Sequence, residues 1–84
     1  MRMEAPMLDA GLVGEVIAAY RQRAGLSQEV LSGLAGIGRS HLSAIERGER
    51  KPTMETFYRL CLAMNVKMSE LAAAVERAME AQKK

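Results

Sequence analysis

Three residues, Gly36-Ile37-Gly38, are all that separate two stretches of helical pattern, and that brevity restricts this chain more than any other feature. Upstream, Ser27 suits the N-cap of a helix opening at Gln28, with Leu31, Leu34 and Ala35 spaced to face inward and Gly36 as its stop. Downstream, a helix from Arg39 to Arg47 ends at Gly48 and carries only Leu42 and Ile45 as sizeable apolar residues. A link this short forces a sharp angle between the two helices, and Ile37 is placed to plug the corner between them.

The remaining pattern is helical as well. Val13, Val16, Ile17, Tyr20 and Ala24 form one stripe, which predicts a helix over about 11–24 ending at Gly25. After the turn Glu49-Arg50-Lys51-Pro52, Thr53 caps a helix over 54–64 with Met54, Phe57, Leu60, Cys61 and Met64 at core spacing. A last helix over 68–81 carries Leu71, Val75 and Met79, and residues 81–84 read as a frayed tail. Residues 1–10 contain Pro6 and show no periodicity, the pattern of a loose leader. No alternation of period two occurs, so the expectation is an all-α chain of five helices in one domain over 11–80. Gly33 lies inside a helix at a cost of about 1 kcal/mol relative to alanine. A closely approaching backbone would account for it.

Composition removes several classes of function. With 84 residues, 49% of them hydrophobic, the chain supports one small core. No apolar run nears the ~18 residues of a membrane span, and no basic segment followed by an apolar stretch marks export, so a cytoplasmic setting is expected. Cys61 is the single cysteine; it excludes an internal disulfide and falls on a core stripe. One His and one Cys cannot make a four-ligand zinc site, and no nucleophile–base–orienter set or strand-borne glycine-rich phosphate loop exists. The expectation is therefore no enzyme, no metal, no cofactor and no small-molecule substrate. RNA is disfavoured too, because aromatics are 4% of the chain and Tyr20 and Phe57 lie on core stripes. Net charge is only +2, but the stretch from Arg21 to Lys51 is itself net basic, through Arg21, Arg23, Arg39, Arg47, Arg50 and Lys51, and the rest of the chain is slightly acidic.

The helix over 39–47 sorts cleanly by angle. Leu42 and Ile45 point one way with Glu46 beside them, while Ser40, Ser43, Ala44 and Arg47 point the other. Arg39 and His41 flank that second face. Small residues at its middle let a backbone approach base edges or a thymine methyl, and Arg39 has the fork for guanine O6 and N7.

The run from Gly25 to Val66 resembles the helix-turn-helix family of phage repressors and Cro proteins, also called the xenobiotic-response-element family. The marks are Gly25-Leu26-Ser27-Gln28, Leu31, Ala35-Gly36, Leu42-Ser43, Ile45-Glu46-Arg47-Gly48 and Pro52, extended by Ser69-Glu70-Leu71. The resemblance implies a five-helix, lambda-repressor-like domain that binds double-stranded DNA. It implies a phosphate contact for Gln28, base-facing or groove-edge positions for Arg39, Ser40, His41, Ser43 and Ala44, and a backbone grip by Arg47, Arg50 and Lys51. It also implies an internal ion pair between Arg21 and Glu46. Four residues depart from the family pattern: Gly38 replaces a Ser, Thr or Asp cap, Ser32 a common alanine, and Lys67 a serine cap, while Gly33 is unusual there. Together they imply modest stability.

Helix 5 leaves two readings open. Tyr58 and Leu62 lie off the main stripe of helix 4, and with Leu71, Val75 and Met79 they would make an exposed apolar patch for a homodimer. Alternatively, helix 5 closes the core. The expected function is a sequence-specific, dimeric DNA-binding transcriptional regulator on a palindromic operator, in the style of stand-alone repressors or restriction–modification controllers and therefore at work on a bacterial or phage genome. The other class is an antitoxin or adaptor that binds a second protein through helices 4 and 5.

Overall fold

The computed structural model describes residues 6–82, and within them five helices and no strand. Helix α1 spans Ala10–Arg23, α2 Gln28–Ala35, α3 Arg39–Glu46, α4 Met54–Met64 and α5 Met68–Gln82. Each differs from its sequence-based bounds by at most a residue. The informative difference is at the start, where Asp9 accepts a hydrogen bond from the Leu12 amide at 3.1 Å and caps α1. The segment read as a leader over 1–10 thus contributes its last two residues to the helix. Residues 1–5, the rest of that leader, and 83–84 of the tail lie outside the described residues.

Local chemistry sets the helix ends. Ser27 accepts from the Val30 amide at 3.0 Å and Thr53 from the Thr56 amide at 3.0 Å. Gly36 adopts left-handed backbone at the end of α2, and the following Ile37 amide donates to the Ser32 carbonyl at 3.0 Å. That paired closure bends the chain into α3 and carries Ile37 against the core, at the corner where the short link placed it. Gly38 caps α3 with no side-chain bond. The penalty relative to a serine cap is only a few tenths of a kcal/mol. Lys67 offers its backbone carbonyl to the amides of Glu70 and Leu71 at the start of α5.

Eleven residues from all five helices build the core. Val13 and Ile17 from α1, Leu31 and Ala35 from α2, Leu42 and Ile45 from α3, Leu60, Cys61 and Met64 from α4, and Leu71 and Val75 from α5 are buried together. α2 packs on α4, while α1 lies across both α3 and α5. Leu42 and Ile45 are fully buried, a gross contribution of about 3–6 kcal/mol, so two apolar anchors suffice to seat α3.

The structure corrects several expectations. Leu34 is 62% exposed and Met54 74% exposed, although both fall on apolar spacing. α2 has only eight residues and packs on α4 and α3, so its buried stripe is the narrow set Leu31, Ser32 and Ala35. Met54 sits at the first position of α4, on the open rim of a groove it lines with Phe57, Val75 and Met79. Ala24 is the exposed C-cap of α1 and not a stripe residue. Ser32 is buried and satisfied, its hydroxyl donating to the Glu29 carbonyl at 3.1 Å.

Gly33 has no close backbone neighbour: a β-carbon there would meet nothing within 4 Å. Gly33→Ala should therefore stabilise the fold by about 1 kcal/mol through helix propensity alone. Thermal unfolding checks this, with a rise of about 4–8 °C expected. The close approach occurs at Gly14, where a β-carbon would lie 2.3 Å from the Ile45 carbonyl oxygen and 2.7 Å from that of Glu46. Gly48, at φ +80°, closes the same contact from the other side, its β-carbon position 2.8 Å from the Gly11 α-carbon. The start of α1 and the end of α3 thus meet backbone to backbone.

Candidate nucleic-acid interface

One network fixes α3 against the rest of the domain. Arg21 on α1 donates from Nε and Nη2 to the two carboxylate oxygens of Glu46, at 2.7 and 3.0 Å. Its Nη1 donates to the Leu26 carbonyl at 2.9 Å. The Gln28 side-chain amide, from the first turn of α2, donates to Glu46 Oε1 at 2.8 Å. Arg21 and Glu46 side chains are 13% and 7% exposed, so their bidentate pairing is shielded from water. The hydrogen bonds it donates to Glu46 raise the Arg21 pKa above the usual guanidinium range, so its charge persists at any ordinary pH. The network ties α1, the start of α2 and the end of α3 into one unit.

With Glu46, Leu42 and Ile45 turned inward, α3 presents the opposite face outward. Arg39 and Ser40 are exposed at its first turn, and His41, Ser43 and Ala44 are partly exposed. Arg50 and Lys51 follow in the exposed turn before α4, and neither forms an ion pair among the described residues. The face is narrow, polar and cationic at both ends.

Two predicted phosphate residues are engaged within the protein. Gln28 is bonded to Glu46 and the Val30 amide to Ser27, which leaves one side-chain amide hydrogen and the backbone amides of Gln28 and Glu29 for an anion. Arg47 is paired with Glu49: its Nε and Nη2 reach the two carboxylate oxygens at 2.9 and 3.0 Å, and its Nη1 donates to the Ser43 hydroxyl oxygen. This hydrogen-bonded pairing raises the Arg47 pKa and holds that of Glu49 below the usual carboxylate range. Sequence spacing did not flag the pair, because residues two apart do not face each other on a helix. The turn at Gly48 folds them together.

The apolar patch expected from helices 4 and 5 is smaller than the sequence reading gave. Leu71 and Val75 are buried in the chain's own core and cannot belong to it. Helix 5 closes the core through them, and Met79 packs partly buried against it. Tyr58 and Leu62 remain on the surface, Leu62 61% exposed. Cys61 is buried, and its thiol is pushed up from its usual pKa by that burial, an unreactive setting. No helix is long and apolar enough to cross a membrane among the described residues.

Two helices joined at a sharp turn, the second with an uncovered polar and basic face, define a helix-turn-helix protein. The model of the family described as Helix-turn-helix matches residues 17–71. The chain is 38% identical over 65 residues to the HTH-type transcriptional regulator y4dJ of Sinorhizobium fredii, covering 77% of this chain and 84% of the relative. It is 33% identical over 60 residues to the control protein C.SmaI of Serratia marcescens, covering 71% of each. Among solved structures, the restriction–modification controller protein C.AhdI of Aeromonas hydrophila is similar at 32% identity and a TM-score of 0.73, over 77% of this chain and 98% of that one. The chain belongs to the helix-turn-helix family of DNA-binding transcriptional regulators.

Proposed function

We propose that this protein is a sequence-specific regulator that binds a palindromic duplex as a homodimer and reads the major groove with α3. The observation that carries the reading is the division of α3. Leu42, Ile45 and Glu46 hold it to the domain, and Arg39, Ser40, His41, Ser43 and Ala44 face away with no covering element. Arg39 at the helix start reads a guanine edge, and the small Ser43 and Ala44 admit close approach. Arg50, Lys51 and the first turn of α2 at Gln28 hold phosphates on either side. Similarity to two controller proteins supports the role of a small regulator.

The dimer is proposed through α4, where Tyr58 and Leu62 stand one turn apart on the surface. A two-fold axis there places two α3 helices in successive major grooves about 34 Å apart. Selection from random duplex DNA at physiological salt should return a symmetric site. About six phosphate contacts per complex give a log–log salt slope near −5. Equal affinity for scrambled duplexes would overturn the reading.

Two substitutions separate reading from gripping. Arg39→Ala should cost about 1–3 kcal/mol and relax preference at one base position per half-site. Lys51→Ala should weaken all sequences alike and reduce the salt slope by about one. Titrations of both variants on the selected duplex and on single-base variants decide this. Identical losses on every sequence would remove the division.

A further inference from the structure

A groove of about 340 Å³ opens between the start of α1, the turn before α4 and the middle of α5. Val13, Phe57 and Val75, from the core and its edge, make the floor, and Leu8, Met54 and Met79 the apolar walls. Leu8 is 50% exposed and Met54 74%, apolar surface that neither the core nor the α4 surface at Tyr58 and Leu62 takes up. The volume lies at the low end of the ~300–1,000 Å³ of small-molecule sites, and unbranched methionine thioethers adapt readily to an aliphatic chain. Only three polar side chains line the groove, those of Lys51, Thr53 and Glu76. The Thr53 hydroxyl is already engaged, accepting from the Thr56 amide at 3.0 Å and donating to Thr56 Oγ1 at 3.1 Å. The acids nearest Lys51 along the chain are committed too, Glu49 to Arg47 at 2.9 Å and Glu55 to Arg59 at 3.2 Å. Arg50 and Lys51 have no ion pair among the described residues. The mouth beside Lys51 is therefore cationic, and Glu76 is the one acid lining the groove.

We propose that this groove binds a medium-chain aliphatic carboxylate, its chain over Phe57 between Met54 and Met79 and its carboxylate on Lys51. The ligand is held and not transformed. Its head group occupies the ammonium assigned to a DNA phosphate, so the acid and the duplex compete for Lys51 and the loaded protein binds DNA more weakly. That competition rests on the phosphate role proposed for Lys51, whereas the binding site itself does not. Since Lys51 grips and does not read, the loss falls on every sequence alike. Linkage makes the effect reciprocal: bound DNA weakens the acid by the same factor.

The test titrates the full chain calorimetrically with hexanoate, octanoate and decanoate, without DNA. Affinity should rise by up to about fourfold per added methylene until the groove is filled. Octanol and octylamine, of equal chain length, should bind more weakly than octanoate. Lys51→Gln should weaken octanoate by about two- to fivefold, the scale of one exposed ion pair, and leave octanol unchanged. Ala72, exposed on α5, also lines the groove, and Ala72→Phe should fill it and abolish binding of all of them. Thermal melting establishes that both variants are folded. With the selected duplex, saturating octanoate should lower the salt slope of the wild type by about one and leave that of Lys51→Gln unchanged. No saturable binding, or equal binding by Ala72→Phe, overturns the site. Octylamine bound as tightly as octanoate overturns the carboxylate assignment. If octanoate splits a homodimer and Ala72→Phe is a monomer by light scattering, the groove is a subunit interface and the proposal fails. Octanoate that binds without changing the salt slope overturns the competition when Lys51→Gln lowers that slope. If Lys51→Gln keeps the wild-type slope, the phosphate role of Lys51 fails instead, and saturable binding still establishes the groove.

Discussion

Gly14→Ala is expected to lower the melting temperature by about 12–24 °C, the equivalent of about 3 kcal/mol for a chain of this size. The added carbon would stand 2.3 Å from the Ile45 carbonyl oxygen and 2.9 Å from the Glu46 carbonyl carbon. All the atoms in its way are backbone, so no side chain can rotate to make room. α1 and α3 must separate, and the separation pulls against Leu42 and Ile45, which seat α3 in the core. The cost is a large share of the stability a domain of 84 residues possesses. The same substitution at Gly33 is expected to raise the melting temperature, so the pair has opposite signs for one chemical change. Calorimetry on both variants checks this. A Gly14→Ala protein that melts within a few degrees of wild type would show that α3 tolerates displacement. Below its melting point the variant should still bind DNA more weakly, because α3 is shifted relative to the start of α2 and the two no longer address the same groove in register.

Glu46→Ala is the second large effect, an expected loss of about 2–4 kcal/mol. Glu46 receives three hydrogen bonds, two from Arg21 and one from Gln28. Its removal leaves a poorly hydrated guanidinium with only the Leu26 carbonyl, and frees the Gln28 amide to rotate. The range is kept toward the lower side because the Arg21 side chain retains 13% exposure and can recover some water. An apolar pair of similar volume, Arg21→Met with Glu46→Leu, should recover most of the loss, since both desolvated charges go together. Denaturant titration of the two variants measures the difference. If the double variant is as unstable as Glu46→Ala, the packing of the long side chains matters more than their charge. In DNA binding the double variant should remain impaired despite its recovered stability, because Gln28 has lost the carboxylate that orients it at the start of α2.

Much of this was legible along the chain. The five helices follow from apolar spacing and from caps at Ser27 and Thr53, since both signals are local. The outward face of α3 is likewise a matter of 100° steps, which place Arg39, Ser40, Ser43 and Ala44 away from Leu42 and Ile45 without reference to any other helix. What failed did so at element ends and in short helices. Leu34 and Met54 satisfy a periodicity that assumes a covering neighbour on that side, and none covers them. For Leu71 and Val75 both an outer patch and the core stay open along the chain, because periodicity marks an apolar stripe without saying which surface takes it up. The protein's own core takes this one.

The sequence by itself determined the helices, the sharp turn at Gly36-Ile37-Gly38 and the chemistry of the outward face of α3, because each depends on residues within a turn or two of one another. Only the tertiary structure decided how that face is held and which of its cations are free. Gly14 meets the Ile45 carbonyl across 31 positions of chain, and Arg21 meets Glu46 across 25. Glu49 folds back on Arg47 through the left-handed backbone of Gly48. Such contacts arise from the crossing of helices and the closing of a turn in space, and no spacing rule along a single helix contains them.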